Sequence, residues 1–174
     1  CSFRTTALEF DVTRMVAVAT SALRDAENNT HFVESIKEKS GIEITIISGE
    51  EEARLIAQGV LRNEKNLSGP VVVFDLGGGS TEIILCENSS VIRSASLNLG
   101  ALRLQQVYLK TYPPCLEDPA HTHPIGELRH HVRCELSEKI ILPGWPPVQT
   151  LIGASGTARA LARIGAHGSP HDNS

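Results

Sequence analysis

"VVVFDLGGGSTEIILCE", residues 71 to 87, sets three glycines between two apolar runs, with Asp75 just before them and Ser80, Thr81 and Glu82 just after. "VVVFDL" has the β-branched and aromatic character of a buried strand, and "STEIILCE" reads as a second strand rather than a helix. The glycines therefore turn a hairpin. Three successive glycines can adopt backbone angles closed to other residues and leave consecutive N–H groups uncovered, a concave surface that suits an anion such as phosphate. A tight turn that needs glycine for its geometry alone is the plainer reading of the same run. The neighbours favour the anion: Asp75 and Glu82 would repel it unless a cation bridges them or one carboxylate acts on water. Magnesium is the natural bridge, because it takes oxygen ligands and shares them between carboxylates and phosphate. Ser80 and Thr81 add hydroxyl donors. Neither a GxxxxGK[ST] loop nor a GxGxxG turn opening into a helix is present.

Working outward, "SVIRSASLNLG" is a third strand after a polar turn at Glu87 to Ser90, and "ALRLQQVYL" is a helix. "TYPPCLEDPAHTHP" is an irregular loop, "IGELRHHVRCELSEKII" a second helix, and "VQTLIGASGTARALARIG" a strand, a small-residue turn and a helix, before a loose tail. From Val71 the order is strand, strand, strand, helix, helix, strand, helix. Upstream, a short helix ends near Phe10 and "MVAVAT" at 15 to 20 is a strand. A helix capped by Thr30 and stopped at Gly41 follows, and "IEITIIS" alternates as a strand. Strand, helix, strand implies a crossover and an α/β layer. Ser48 and Glu51 have capping-box spacing at the start of a helix bearing Leu55, Ile56, Val60 and Leu61, within or just after which a domain boundary falls.

The chain has 174 residues, 41% apolar and 21% charged, enough for an ordinary globular core. With 16 Lys and Arg against 20 Asp and Glu, the balance argues against a dominant nucleic-acid surface. No apolar run reaches a membrane span and no signal-peptide pattern opens the chain, so a cytoplasmic setting is expected. Cys1, Cys86, Cys115 and Cys134 form no CxxC pair and read as free thiols. His121, His123, His130 and His131 with Cys134 fit no standard zinc spacing and read as a solvated loop and helix face.

"VVVFDLGGGSTEIIL", with "VAVATSALRDA" and "IEITIISGEEEARLIAQGV" before it and "NLGALRL" and "LIGASGTARAL" after it, resembles the exopolyphosphatase and guanosine pentaphosphate phosphohydrolase family of the actin, sugar kinase and Hsp70 ATPase-domain superfamily. The resemblance runs in order through roughly residues 1 to 165. It implies an α/β, RNase H-like (actin-like ATPase) fold with a mixed sheet flanked by helices. Residues 1–56 would be the C-terminal part of a first such domain and 57–174 a second, with the active site in the cleft between them. It implies a phosphate loop at Asp75, Gly77, Gly78, Gly79, Ser80 and Glu82, with Thr81 adjoining, and Mg2+ at Asp75 and Glu82. Glu52 would be the base that activates water, and Arg24 a phosphate contact whose guanidinium fork suits two phosphoryl oxygens. Read without the resemblance, Glu50 to Glu52 are an acidic first helical turn favoured by the macrodipole, and Arg24 is a solvated helix arginine. Gly153, Ser155 and Gly156 in "GASGT" place small residues at a strand-to-helix turn whose N–H groups would face phosphate. A serine nucleophile elbow would need glycine where Thr157 stands.

The implied reaction is hydrolysis of a terminal phosphoanhydride, of polyphosphate or of pppGpp, by a homodimer that uses neither nucleic acid nor a membrane. Family members carry a first phosphate loop of the type Asp-hydrophobic-Gly-Ser-Asn-Ser, and these residues contain nothing like it. The expectation is therefore a fragment of weak or no activity drawn from an intact enzyme. An ATP-dependent kinase or ATPase of the same superfamily and a non-catalytic phosphate or alarmone sensor are the competing readings.

Overall fold

The computed structural model describes residues 2–10, 12–64, 67–110 and 122–167, and divides into two compact units, Cys1–Glu52 and Ala53–Ser174. Cys1, Cys115, His121, most of the Pro-rich loop and the tail lie outside the described residues.

The first unit holds helix α1 (Ser2–Glu9), strand β1 (Ala17–Ala19), helices α2 (Ser21–Arg24) and α3 (Asn29–Ser40), and strand β2 (Ile44–Ile46). β1 and β2 pair in parallel, Ala17 with Ile44 through Ala19 with Ile46, and the amide of Ile47 reaches the carbonyl of Ala19 at 3.0 Å. This is the expected crossover. β1 is shorter than the apolar run at 15 to 20, because only three of those residues find register partners on β2. Gly41 ends α3 with φ of 69°, as anticipated. The N-cap is Asn28, not Thr30, which lies inside the helix and donates its hydroxyl to Asn29 Oδ1.

Helix α4 (Gly49–Leu61) begins where Ser48 Oγ accepts from the amide of Glu51 at 3.1 Å, the Ser half of the expected capping box. The division between units falls inside it. Its apolar face, Ala53, Ala57, Ile56, Val60 and Leu61, belongs to the core of the second unit, where it meets Val71 and Val73 of one strand and Ile84 and Cys86 of the next.

The sheet of that unit has the order β5-β4-β3-β6, from β3 (Val71–Leu76), β4 (Thr81–Glu87), β5 (Ser90–Leu97) and β6 (Thr150–Gly153). β3 and β4, and β4 and β5, are antiparallel, while β3 and β6 are parallel, so the sheet is mixed as expected. Helices α5 (Ala101–Tyr108), α6 (Thr122–Leu136) and α7 (Gly156–His167) complete the expected order. The turn from β4 to β5 is made by Asn88 and Ser89, both at positive φ, the backbone of a two-residue type I′ hairpin. Two details differ from expectation. α6 starts at Thr122, because Pro124 stands in a first turn whose amides have no intrahelical acceptor, so its missing N–H costs nothing. The stretch 137–141 is a π-helical turn rather than a continuation of α6, with the amide of Leu142 bonded to Ser137 O at 2.8 Å.

Candidate active site

The β3–β4 turn closes through a bond from the amide of Gly77 to Ser80 O at 3.0 Å. All three glycine carbonyls are taken up by the start of α5. Ala101 N–H reaches Gly77 O at 2.9 Å, Leu102 and Arg103 N–H reach Gly78 O at 3.0 and 3.1 Å, and Arg103 Nε reaches Gly79 O at 2.8 Å. These bonds occupy the orphan amides of a helix whose N-cap, Gly100, has no side chain with which to do so. In a planar trans peptide the N–H points opposite the C=O. The amides of Gly78, Gly79 and Ser80 are therefore turned away from α5, and none of them makes a hydrogen bond among the described residues. Three successive uncommitted amides are an arrangement that suits an anion, the guest the sequence reading proposed for this turn.

The reason for glycine here differs from the one anticipated. None of Gly77, Gly78 and Gly79 has a positive φ. A Cβ on Gly77 would lie 3.2 Å from Ser80 O and one on Gly78 3.2 Å from Leu102 Cδ1, both tight, while the position that close approach closes to any side chain is Gly100, whose Cβ would lie 2.3 Å from Gly78 O and from Gly79 C.

Asp75 and Glu82 are register partners across β3 and β4, and Ser96 of β5 is the partner of Glu82. Directly paired residues share a face, here the face that α4 covers. Glu82 is only 2% exposed, and its Oε1 accepts from Ser96 Oγ at 2.9 Å. Burial pushes the Asp75 carboxyl above its ordinary range. No hydrogen bond or ion pair holds the Asp75 carboxylate among the described residues. A half-buried carboxylate without a cationic partner, backed by a second one, fits a divalent cation that keeps most of its waters and takes one protein oxygen and substrate oxygens. Asp75 fits as the ligand; Glu82, enclosed and engaged by Ser96, fits as its support. No group of three or more His, Cys, Asp or Glu side chains poised for a metal occurs among the described residues.

Ser80 is 3% exposed and its hydroxyl makes no bond to the described protein. Thr81 is different: its Oγ1 donates to Leu99 O at 2.9 Å, so the hydroxyl ties the hairpin to the approach to α5.

Because β3 and β6 run in parallel with Phe74 opposite Gly153, the turn after β6 emerges at the same end of the sheet as the glycine turn. Gly153 has no room for a side chain, a Cβ there lying 2.7 Å from Ala158 Cβ and 2.9 Å from Phe74 Cζ. Ser155 Oγ accepts from Ala158 N–H at 3.1 Å and so caps α7, leaving the amides of Gly156 and Thr157 without a partner among the described residues.

In the first unit, Arg24 and Glu52 are brought together across 28 residues of chain, Nη1 lying 3.2 Å from Oε2. The same Nη1 donates to Ile47 O at 3.0 Å. Arg24 Nη2 and Nε make no bond among the described residues, so the fork keeps an edge for a second anion. Glu52 stands in the first turn of α4, as anticipated.

The sequence reading missed Gly100, Arg103 and Ser96. "NLGALRL" offered a signal, a glycine directly before a helix lacking any side-chain cap, but nothing local says that the cap is another turn 22 residues upstream. Elsewhere, Cys86 is buried and Cys134 exposed as free thiols, with Cys134 Sγ 3.5 Å from His130 Nε2, while His131 stacks on Tyr108 at 5.6 Å between ring centroids.

The chain is similar to known proteins over most of its length. A model of the Ppx/GppA phosphatase family matches residues 2–172. Exopolyphosphatase 1 of Mycobacterium tuberculosis is 31% identical over 165 residues, covering 93% of this chain and 46% of that protein. A guanosine-5'-triphosphate,3'-diphosphate pyrophosphatase of Pseudoalteromonas translucida is 33% identical over 147 residues, covering 84% of this chain and 28% of its own length. The crystal structure of the Aquifex aeolicus Ppx/GppA family member superposes with a TM-score of 0.69 at 30% identity, covering 98% of this chain and 52% of that one. This chain thus spans about half, or less, of the length of these relatives.

Proposed function

The chain belongs to the Ppx/GppA phosphatase family, and from that premise we propose that its protein hydrolyses the terminal phosphoanhydride bond of inorganic polyphosphate, of pppGpp, or of both. The observation that carries this reading is the row of uncommitted amides at Gly78, Gly79 and Ser80, a ready receptor for a terminal phosphoryl group. The N–H groups after Gly153 would add donors to the same anionic chain, and the family resemblance makes Arg24 a phosphate contact. Glu52 would accept a proton from water as it attacks in line, and its pairing with Arg24 would hold the carboxylate oriented for that step. Magnesium, held by Asp75 with Glu82 behind it, would offset phosphoryl charge when bound. A homodimeric, cytoplasmic intact protein completes the proposal, the first from the family resemblance and the second from the apolar-run and signal-peptide reading of the sequence.

Phosphate release by the whole protein, with polyphosphate, pppGpp and ATP offered separately, is the test. Release from either of the first two supports the reading. Turnover confined to ATP would replace it with a kinase or ATPase, and saturable binding without turnover would replace it with a sensor.

A further inference from the structure

A nest of amides binds an anion only if its peptide planes are held in one orientation, because planes free to rotate present the carbonyl instead. Two of the three planes here are fixed by main-chain bonds from α5: Gly77 O by Ala101, and Gly78 O by Leu102 and Arg103. The third, between Gly79 and Ser80, has no such bond. Its carbonyl is held by a side chain, Arg103 Nε at 2.8 Å, and Gly79 is itself half-exposed. Arg103 grips this turn twice, with its amide on Gly78 O and its guanidinium on Gly79 O.

We propose that Arg103 is a positioning residue of the phosphate site, one that fixes the Gly79–Ser80 peptide so that the Ser80 amide faces the bound phosphoryl group. The inference rests on the reading of this turn as a phosphate receptor. It places Arg103 behind the nest, on the carbonyl side, and gives it a role through geometry rather than through attraction to the substrate. Arg Nε stands one bond nearer the main chain than the ammonium of lysine, so lysine overshoots the carbonyl and cannot reproduce the contact by charge alone.

The test is titration of the ¹⁵N-labelled chain with tripolyphosphate, read at individual amide resonances, for the parent, Arg103→Ala and Arg103→Lys. In the parent, Gly78, Gly79 and Ser80 are expected to shift saturably. Both variants are expected to bind about tenfold more weakly, the equivalent of one well-placed hydrogen bond, with the loss of shift concentrated at Ser80. Unchanged resonances of Ile84 and Cys86 would certify the hairpin core, and if Arg103→Ala does not fold, Arg103→Lys carries the test. Parent-like binding by Arg103→Lys would overturn the proposal in favour of a simple charge effect, as would parent-like binding by Arg103→Ala. A parent chain whose three amides ignore tripolyphosphate would remove the site reading itself, an outcome distinct from either failure of Arg103.

Discussion

Glu52 shows how two modest local effects can converge on one carboxylate: the first turn of α4 favours a negative charge there, and Arg24 holds it at 3.2 Å. Read without the resemblance, Glu50, Glu51 and Glu52 are one acidic helix start; the tertiary structure adds that Glu52 pairs with the guanidinium of Arg24 from α2. Glu52→Gln in the whole protein is expected to lower kcat by about 10²–10⁴-fold with tripolyphosphate binding retained, the scale of a lost general base. Unaltered kcat would remove Glu52 from the chemistry. For Asp75 the prediction concerns pH. Its folded carboxyl titrates above the ordinary value of 3.8 because of burial, so the folded state binds more protons than the unfolded one as pH rises through that window. Asp75 therefore favours folding below its unfolded pKa and that contribution is lost as pH climbs past the folded one. Urea unfolding should show Asp75→Asn gaining on the parent between pH 4 and pH 7, and the gain should shrink when magnesium is added, since a bound cation stabilises the ionised carboxylate. An Asp75→Asn difference that does not change with pH would contradict the assigned cause.

Among the elements, the hairpin was legible from periodicity and composition because β-branched runs on both sides of a glycine turn leave few alternatives. The helix starts were less so. Ser48 was found because its partner, Glu51, is three residues away, and Ser48→Ala is expected to cost about 1 kcal/mol in chemical denaturation. The cap of α5 is non-local, formed by carbonyls of a turn in another element, and no window of sequence contains both halves. Gly100→Ala should destabilise the second unit by about 1–3 kcal/mol, since its Cβ meets backbone atoms that cannot step aside, and should weaken tripolyphosphate binding in the same experiment. A fully stable Gly100→Ala chain with intact binding would show that α5 does not lock the turn. The same logic explains why Thr30 is not the cap: Thr30 has the right side chain, but the cap lies two residues earlier, at Asn28, without a side-chain bond.

For the molecule as a whole, the resemblance called for a second Asp-led phosphate loop that these 174 residues do not contain. These 174 residues are therefore expected to bind tripolyphosphate through the glycine turn yet to release little or no phosphate, whereas a chain that also carries such an Asp-led loop would release it; equal rates in the two would refute the need for a second loop. Composition, strand periodicity and the ordered motifs determined by themselves the α/β class, the order of elements from Val71 onward, the glycine hairpin and the family. They could do so because these properties depend on neighbours in the chain, where apolar period and turn chemistry act over a few residues. Which amides stay free, which carboxylate acquires a guanidinium partner and which arginine braces the turn depend on groups from 24 to 28 residues apart meeting within hydrogen-bond reach. Only the packed fold makes those choices, because a directional bond of about 3 Å is decided by where whole elements come to rest, and not by the residues that flank it.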